Sequence, residues 1–353
     1  MPNQVPLFLA PMAGVTDVAY RLLAREAGAD FTSTEFTAAS GLSRKDAKSW
    51  AKVETHPRES PFIPQIFGGI EDEMVETARL LSKNADTIDL NFGCPAPKVT
   101  KTCAGAAMMA DPDNLISMVS RCIEASESPV SVKMRLGTSQ KVISVLEIAE
   151  RCAQLGVLRI CVHGRTLAQK YRGVADWDMI RKVVEVVEPY GVPVIANGDI
   201  VDSRSAAACL EITGAAGLMI GRGAIGDPCI FGRIKAELGW EDFDAPWGDL
   251  GEVGQKHWAW NRYVELVDEI GGPYAARNMK QHGISFTKGL PGGRELRPYL
   301  HAIKDFRLIG EPLNLAFEAY SNRRHNTLAV PEAIAMAEEL KHHEYNRKGT
   351  GKS

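Results

Sequence analysis

Short apolar runs rich in β-branched residues alternate with stretches of helical periodicity as far as residue 237. Apolar runs of this length, bounded by Gly, Pro, Asn or Asp, are typical of buried strands. The predicted strands span residues 7–10, 31–35, 63–67, 87–91, 130–135, 159–163, 193–197 and 217–220.

Segments with a 3.6-residue period separate these runs, and several of them open with Asp or Ser at the expected N-cap. They cover residues 17–27, 72–83, 113–125, 141–155 and 203–212. Strict alternation of strand and helix indicates βαβ units and a parallel sheet. Eight such repeats predict an α/β chain with a closed (β/α)8 TIM barrel rather than an open, doubly wound sheet.

The pattern changes after Glu237, because residues 238–249 have no strand pattern and are typical of a linker. Apolar positions then recur at helical spacing from residue 260 to 270 and predict a first helix there, with further helices at residues 274–288, 293–309, 312–323 and 331–345. Short connections between helices favour an antiparallel bundle. We therefore expect a barrel domain over residues 1–240, an all-α helical bundle domain over 241–345 and a disordered tail over 346–353.

Composition indicates a globular protein and argues against several other classes, but it does not indicate a reaction. The chain has 353 residues, 45% hydrophobic and 24% charged, which is ordinary for a globular protein with a large core. Its seven cysteines include no C-x-x-C pair, so we expect no disulfide framework, no metal site and a cytoplasmic, reduced chain. No apolar run approaches the ~18 residues of a membrane span, and the N-terminus does not resemble a signal peptide. We expect a monomer.

The charge is unevenly distributed along the chain. The net charge is −3, but residues 1–254 carry 26 Lys and Arg against 33 Asp and Glu, whereas residues 255–353 carry 15 against 11. A basic face attracts a phosphate backbone whatever the total charge. The helical part is therefore the more favourable region for nucleic acid, although solvated basic residues on a helical tail are common.

Polar side chains follow nearly every predicted strand, at the end where barrel enzymes place their active sites. A ring of such residues at one mouth indicates a binding or catalytic site. The strand-end segments are residues 11–17, Gln65, 91–95, 133–135, 163–165, 197–199 and 221–223.

The segment Asn91-Phe-Gly-Cys-Pro95 places an amide and a thiol on a rigid loop after the fourth strand. A cysteine with an ordinary pKa of about 8.5 is mostly protonated at neutral pH and can donate its proton. The alternative interpretation of Cys94 is a small buried hydrophobic residue, which is what most unpaired cysteines are.

The loops after the last two strands predict a phosphate site, because TIM barrels often bind phosphate there. Gly221 to Gly226 also fits the dinucleotide pattern G-x-G-x-x-G, but the βαβ unit that this pattern requires does not follow. A phosphate at this position suits flavin mononucleotide. Lys133 could then stabilise negative charge on the reduced ring, Gln65 could match its edge, and His163 could contact ring or phosphate.

The ordered set of motifs resembles the tRNA-dihydrouridine synthases, flavin enzymes that reduce uridine in tRNA. The barrel motifs that carry the resemblance are PMAGVTD at 11–17, QIFG at 65–68, NFGCP at 91–95, KMR at 133–135, HGRT at 163–166, ADW at 175–177, NGD at 197–199 and GRG at 221–223. TKGLP at 287–291 and ELR at 295–297 match the family's helical region more loosely.

The resemblance implies an FMN-binding barrel, a helical domain that helps hold tRNA, and NADPH or NADH as reductant. It implies hydride transfer from FMN to C6 of a flipped-out uridine and protonation of C5 by Cys94, the catalytic residue. Asn91, Arg165 and Tyr171 would contact the substrate. The residues that would hold FMN are Pro11, Met12, Ala13, Gln65, Lys133, His163, Asn197, Gly198, Asp199, Gly221 and Arg222.

Three features depart from the family pattern or need a separate interpretation. Cys103 stands where many relatives place glycine, and Gln281-His282 and Ser285-Phe286 stand where Lys-His and Trp-Tyr are more common. The aromatic residues of the first predicted bundle helix, Trp258, Trp260 and Tyr263, could stack on bases, but their spacing favours the core.

Two other functions remain open at this point. One is an FMN-dependent TIM-barrel reductase of a free small molecule, such as a pyrimidine or an enone. The basic helical domain argues against this function, because an enzyme that acts on a free small molecule does not need such a domain. The other is a non-catalytic RNA-binding protein, which would have no need of Cys94 or Lys133.

Overall fold

The structure, a computed structural model, describes residues 3–240, 243–271, 275–321 and 326–343. The chain divides into two compact units. The first comprises Met1–Ala224 and Ile230–Phe243, and the second comprises Ile225–Cys229 and Asp244–Ser353. The domain functions predicted above stay predictions, and the predicted tail at 346–353 lies outside the described residues.

The first unit contains a nine-stranded parallel sheet and a two-stranded hairpin. The strands are β1 Leu7–Leu9, β2 Phe31–Thr32, β3 Thr37–Ala38, β4 Gln65–Phe67, β5 Ile88–Phe92, β6 Val130–Met134, β7 Gly137–Ser139, β8 Val142–Ile143, β9 Ile160–His163, β10 Val194–Asn197 and β11 Gly217–Ile220. The sheet order is β2-β1-β11-β10-β9-β6-β5-β4-β3, and β7 pairs with β8.

The sheet closes on itself through the second predicted strand, which is interrupted. β2 and β3 lie at opposite ends of the strand order, yet only residues 33–36 separate them in the chain. Such a short connection brings the two edges together, and the Thr34 N–H donates to Ile63 O at 3.1 Å beside the break. The fold is therefore the predicted (β/α)8 barrel, with one strand position shared by β2 and β3.

Helices of the first unit follow the strands and surround the barrel. They are α1 Val18–Glu26, α2 Ala39–Ser43, α3 Ala47–Trp50, α4 Glu71–Leu81, α5 Pro97–Thr100, α6 Pro112–Ala125, α7 Val145–Gln154, α8 Trp177–Val187, α9 Ser203–Thr213 and α10 Ile230–Glu237. Short 3-10 helices cover Gly105–Ala110, Glu188–Tyr190 and Arg222–Ala224. The expected Asp caps are present: Asp17 accepts from the Tyr20 N–H and Asp202 from the Ser205 N–H.

Two helix predictions need correction. The helix expected from residue 141 begins at Val145, because the β7–β8 hairpin takes up the residues before it. The helix α8 was not among the predicted segments, although Asp176 caps it by accepting from the Met179 N–H. Its amphipathic run begins only after a long loop, residues 164–176, which forms part of the barrel mouth.

The floor of the barrel interior is apolar. Five buried side chains from four strands and their continuations form one cluster, with Phe31 packed against it: Phe8, Ala10, Cys161, Ile195 and Met219. This cluster fills part of the barrel interior below the polar strand ends, where barrel enzymes place their active sites.

The second unit is helical, as predicted. Its helices are α11 Glu252–Ile270, α12 Met279–Phe286, α13 Gly293–Ala302, α14 Gly310–Ser321 and α15 Pro331–Leu340, with a 3-10 helix at Phe306–Ile309. Trp260 and Tyr263 are fully buried and therefore belong to the core, while Trp258 packs against Trp247 with ring centres 5.3 Å apart. Within the described parts of both units, no helix has the length and apolarity needed to cross a bilayer.

Candidate active site

Four polar residues lie buried at the carboxyl ends of neighbouring strands. Asn91 of β5 is level with Lys133 of β6, and His163 of β9 is level with Asn197 of β10. All four side chains are at least nine-tenths buried. The barrel therefore brings these predicted site residues to one mouth above the apolar floor.

Cys94 lies in the loop after β5 and is only 7% exposed. The N–H groups of Gly93 and Cys94 both donate to Asn91 Oδ1 at 2.9 Å. Burial raises the pKa of the Cys94 thiol, while the positive charges of Arg135 and Lys133 act in the opposite direction. The thiol therefore keeps its proton at neutral pH, and nearby cations can stabilise the thiolate that proton donation leaves behind.

Gln65 and Asn91 are bonded to each other and to a buried carboxylate. Asn91 Nδ2 donates to Gln65 Oε1 at 2.7 Å, and Gln65 Nε2 donates to Asp89 Oδ2 at 2.7 Å. Each amide uses both of its ends within the protein, yet each NH2 keeps one further hydrogen that a ligand could accept. Asp89 was not among the predicted site residues.

Lys133 is a buried ammonium group with one hydrogen bond among the described residues. Its Nζ donates to Asn197 Oδ1 at 3.0 Å, and Asn197 Nδ2 donates in turn to Met219 O at 2.7 Å. Burial is the main reason that the pKa of Lys133 is lowered. Since an ammonium group has three donors, this site fits a ligand that is anionic or rich in acceptors.

His163 lies in a strongly electropositive environment. Burial lowers the pKa of its imidazole well below the usual range, and the positive charges of Lys133, Arg135, Arg165 and Arg222 lower it further. The ring is therefore neutral across the physiological range and can only act as a neutral donor or acceptor.

Arg165 is 1% exposed and is held entirely by protein groups. Its Nη2 donates to Asp199 Oδ2 at 2.7 Å and to Gly173 O at 2.6 Å, and its Nε donates to Arg172 O at 3.2 Å. The predicted contact of Arg165 with substrate stays a prediction. The hydrogen bonds favour a role in shaping the loop of residues 172–175.

The side chain of Asp199 is also fully engaged in hydrogen bonds within the protein. Besides Arg165, its carboxylate accepts from the Ala175 N–H at 2.7 Å and from Arg222 Nη2 at 3.3 Å. A carboxylate would repel a phosphate, so only the backbone N–H of Asp199 is suited to bind one. Its φ of +57°, unusual for a residue with a side chain, turns the backbone at this point.

The loops after β10 and β11 provide donors for an anion. Gly198 has a φ of +123°, and a Cβ there would lie 2.8 Å from Ala175 Cβ, so only glycine fits. Within the described part of the chain, the N–H groups of Gly198 and Asp199 donate to no protein acceptor. With the half-exposed Arg222 beside them, they fit the phosphate that the sequence predicted.

Tyr171 lies on the rim, 53% exposed, between two arginines. The Cζ atoms of Arg135 and Arg222 lie 5.6 Å and 5.0 Å from its ring centre. Such cation–π contacts keep the ring at the mouth while leaving it accessible. The ring is therefore accessible at the mouth, and its predicted contact with substrate stays a prediction.

Arg135 joins three parts of the mouth, although the sequence assigned it no role. Its Nε donates to Gly93 O at 2.7 Å, and its Nη1 donates to Thr166 O at 3.0 Å and to Lys170 O at 2.9 Å. Its place directly after the buried strand β6 and within the motif KMR at 133–135 were the signals that could have indicated it.

The loop after β1 is held in place by hydrogen bonds to its backbone. Thr16 Oγ1 accepts from the Met12 N–H at 3.1 Å, and Glu35 accepts from the Gly14 N–H. Pro11 is buried, Met12 half-buried and Ala13 exposed. A Cβ on Gly221 would lie 3.9 Å from Met12 Sδ, so this loop borders the anion site.

Cys103 lies exposed in the loop that follows α5. Its φ is +53°, in the left-handed region that favours glycine. This conformation gives a physical reason for the glycine that many relatives are expected to have at this position.

Comparison with known proteins agrees with the motifs. The model of the family described as dihydrouridine synthase (Dus) matches residues 8–320. The probable tRNA-dihydrouridine synthase of Rhizobium leguminosarum bv. phaseoli is 36% identical over 275 residues, which cover 78% of this chain and 82% of that protein. The protein of the same name from Treponema pallidum is 35% identical over 294 residues, which cover 81% and 85% of the two chains.

Among solved structures, DHODH from Eimeria tenella in complex with ferulenol has a TM-score of 0.49 at 14% identity, covering 66% of this chain and 80% of that one. This similarity is too weak to bear on function. The family match, by contrast, extends from the first strand of the barrel to the end of α14. The chain therefore belongs to the dihydrouridine synthase family of flavin-dependent oxidoreductases.

Proposed function

We propose that this protein is a tRNA-dihydrouridine synthase, which reduces the C5=C6 bond of specific uridines in tRNA with FMN as cofactor and NADPH or NADH as reductant. The observation that carries the proposal is the buried, proton-retaining thiol of Cys94 at a mouth lined by cations. The names of the similar proteins from Rhizobium and Treponema supply the substrate class.

The residues at the mouth fit FMN. The free N–H groups of Gly198 and Asp199, with Arg222, would hold its phosphate, and Met12 and Ala13 would support its ring. Lys133 would lie near the pyrimidine end of the ring, where its buried ammonium group favours negative charge. When bound, FMN supplies the hydride for C6 of the uracil.

Cys94 supplies the proton for C5. The S–H bond breaks as the new C–H bond forms, and the thiolate that remains is stabilised by Lys133 and Arg135. A positioned acid is worth about 10²- to 10⁴-fold in rate. The target base must leave its stack to reach a thiol this deeply buried.

Asn91 and Tyr171 are the side chains best suited to contact the uracil. Asn91 Oδ1 is taken by the Cys94 loop, so Asn91 can offer only the remaining Nδ2 hydrogen, which suits a uracil carbonyl. Tyr171 can pack against the base from the rim. The helical region, with its excess of basic residues, would bind the tRNA backbone.

Mapping of modified nucleosides tests the proposal. Purified protein should contain FMN and, with NADPH, should form dihydrouridine in tRNA from a strain that lacks the enzyme, measured by mass spectrometry. Free uridine and uracil serve as matched substrates. Turnover of these small molecules without turnover of tRNA would favour the small-molecule reductase instead, and protein that cannot bind any flavin would refute both.

A further inference from the structure

Asp89 lies in the middle of β5 and is only 4% exposed. Burying a carboxylate is costly unless hydrogen bonds compensate for the lost water. Its two oxygens are in fact both used, since Ser131 Oγ donates to Oδ1 and Gln65 Nε2 donates to Oδ2 at 2.7 Å. The three residues are level on neighbouring strands, so the barrel itself sets this contact.

Hydrogen-bond polarity fixes the direction of the chain that starts at Asp89. The N–H groups of Gly93 and Cys94 can only donate, so the Asn91 atom that faces them must be Oδ1. Asn91 Nδ2 then faces Gln65, which must present Oε1. Gln65 Nε2 therefore faces Asp89, and a carboxylate is the acceptor that this end requires.

The peptide between Gly93 and Cys94 is held at both of its polar atoms. Asn91 accepts from its N–H at 2.9 Å, and Arg135 Nε donates to its carbonyl oxygen at 2.7 Å. A peptide fixed in this way leaves the Cys94 side chain little freedom of position. The contact with Asn91 depends on how the amides of Asn91 and Gln65 are oriented. Their orientation depends in turn on Asp89, which accepts from Gln65 at the far end of the chain.

We propose that Asp89 is a positioning residue for Cys94: acting through Gln65 and Asn91, it orients the Gly93–Cys94 peptide and so aims the thiol at the substrate. This inference rests on the proposed function of Cys94 as proton donor. Both carboxylate oxygens of Asp89 are taken by Ser131 and Gln65, so Asp89 acts through the chain of hydrogen bonds, and we expect its main effect on the proton-transfer step and on the thiol.

Substitutions at Asp89 test the proposal in the full-length flavoprotein. Asp89→Leu fills a similar volume without an acceptor, Asp89→Ala removes the side chain, and Asp89→Asn keeps an oxygen that can face Gln65. Asp86→Ala is the matched control, because Asp86 lies just before the same strand and, among the described residues, its side chain accepts only from the Phe62 N–H. Four quantities are measured for each: FMN content, kcat for tRNA, KM for tRNA, and the pH profile of Cys94 alkylation by iodoacetamide, read by mass spectrometry.

We expect Asp89→Leu and Asp89→Ala to lower kcat about 10- to 100-fold with little change in KM or FMN content, a loss within the range of general-acid catalysis. The alkylation profile of Cys94 should shift to lower pH, because a released loop loses part of the burial that raises the pKa of the thiol. Asp89→Asn should rescue most of the activity, and Asp86→Ala should match the wild type.

Three results would overturn the proposal: wild-type kcat and alkylation in Asp89→Leu, equal damage in Asp89→Asn and Asp89→Leu, or a loss of FMN that parallels the loss of activity. If Asp89→Ala does not fold, Asp89→Leu and Asp89→Asn still give the comparison. If the wild-type protein forms no dihydrouridine, the proposed function fails, whereas the alkylation profiles still report whether Asp89 positions the thiol.

Discussion

On the β4–β5 side of the mouth the polar side chains bond to one another, whereas on the β9–β11 side two backbone N–H groups have no protein acceptor among the described residues. The first side contains Asp89, Gln65 and Asn91 in one chain of hydrogen bonds that ends at the Cys94 loop. The second side contains the free N–H groups of Gly198 and Asp199.

The contrast indicates different tasks. Groups that already satisfy one another hold a fixed geometry, which suits a proton donor that must meet one carbon atom. Groups left without partners are suited to a ligand that stays bound, because the ligand completes their hydrogen bonds. Arg135 belongs to both sides, since it bonds to Gly93 O and packs against Tyr171.

The largest effect is expected from a substitution of Cys94, which should impair proton transfer and leave the FMN site intact. Cys94→Ala should lower dihydrouridine formation about 10²- to 10⁴-fold, because the acid is lost, while FMN content and flavin reduction by NADPH stay at the wild-type level. Single-turnover reduction of tRNA and flavin absorbance measure the two quantities. Turnover that survives this change would mean that another group donates the proton.

A change at Arg222 should affect the other side. Arg222→Gln removes a charge beside the free N–H groups and should weaken FMN binding about tenfold or more, the usual worth of a hydrogen bond to a charged group. Fluorescence titration of the apoprotein measures the affinity, and the rate of Cys94 alkylation should not change. Arg172→Gln is the matched control on the same rim, because among the described residues the Arg172 side chain donates only to Ala168 O, at 3.5 Å.

The pH dependence of turnover should include an alkaline limb from the loss of the Cys94 proton. Cys94 must be protonated to act, and burial raises its pKa, so the rate should fall about tenfold per pH unit only above the ordinary value of about 8.5. The pKa of His163 is lowered far below its usual range, so no second limb should occur between pH 5 and 8. An alkaline limb centred near neutral pH would contradict the buried thiol.

The smallest expected effect concerns Cys103, outside both sides of the mouth. Cys103→Gly should relieve the left-handed backbone and raise the free energy of unfolding by about 1 kcal/mol at most, because the greater freedom of glycine in the unfolded chain offsets part of the gain. Thermal unfolding followed by circular dichroism measures it. Cys103→Ala removes the thiol but keeps the Cβ, so it should leave both stability and turnover unchanged.

Sequence reasoning predicted the fold well where local pattern and tertiary contacts agree. Apolar runs ending in polar residues identified β5, β6, β9 and β10 almost to the residue. It was wrong about the second strand, which breaks after Thr32 to close the barrel, and about the residues before Val145, which form a hairpin. Both errors arise because strand pairing, and not local pattern, decides where a short strand begins and ends.

The sequence predicted which side chains lie at the candidate active site, but not the hydrogen bonds between them. Asp89 lies in the same apolar run as Asn91. The run itself does not show whether its carboxylate is buried and accepts hydrogen bonds from two other side chains, or whether the strand is wrongly predicted at this point. Arg165 was expected to meet the substrate, and the structure commits its guanidinium to Asp199 and to backbone carbonyls. These side-chain partners of Asp89 and Arg165 lie 24 to 42 residues away in the chain and become neighbours only in the barrel.

The sequence by itself determined which residues stand at the strand ends, because alternation along each strand and the common direction of parallel strands carry that information. It also determined the family, through motifs in a fixed order. Only the tertiary structure decided which polar groups satisfy one another and which stay open for a ligand. That outcome depends on distances of about 3 Å between separate strands and loops, where a donor can face only an acceptor.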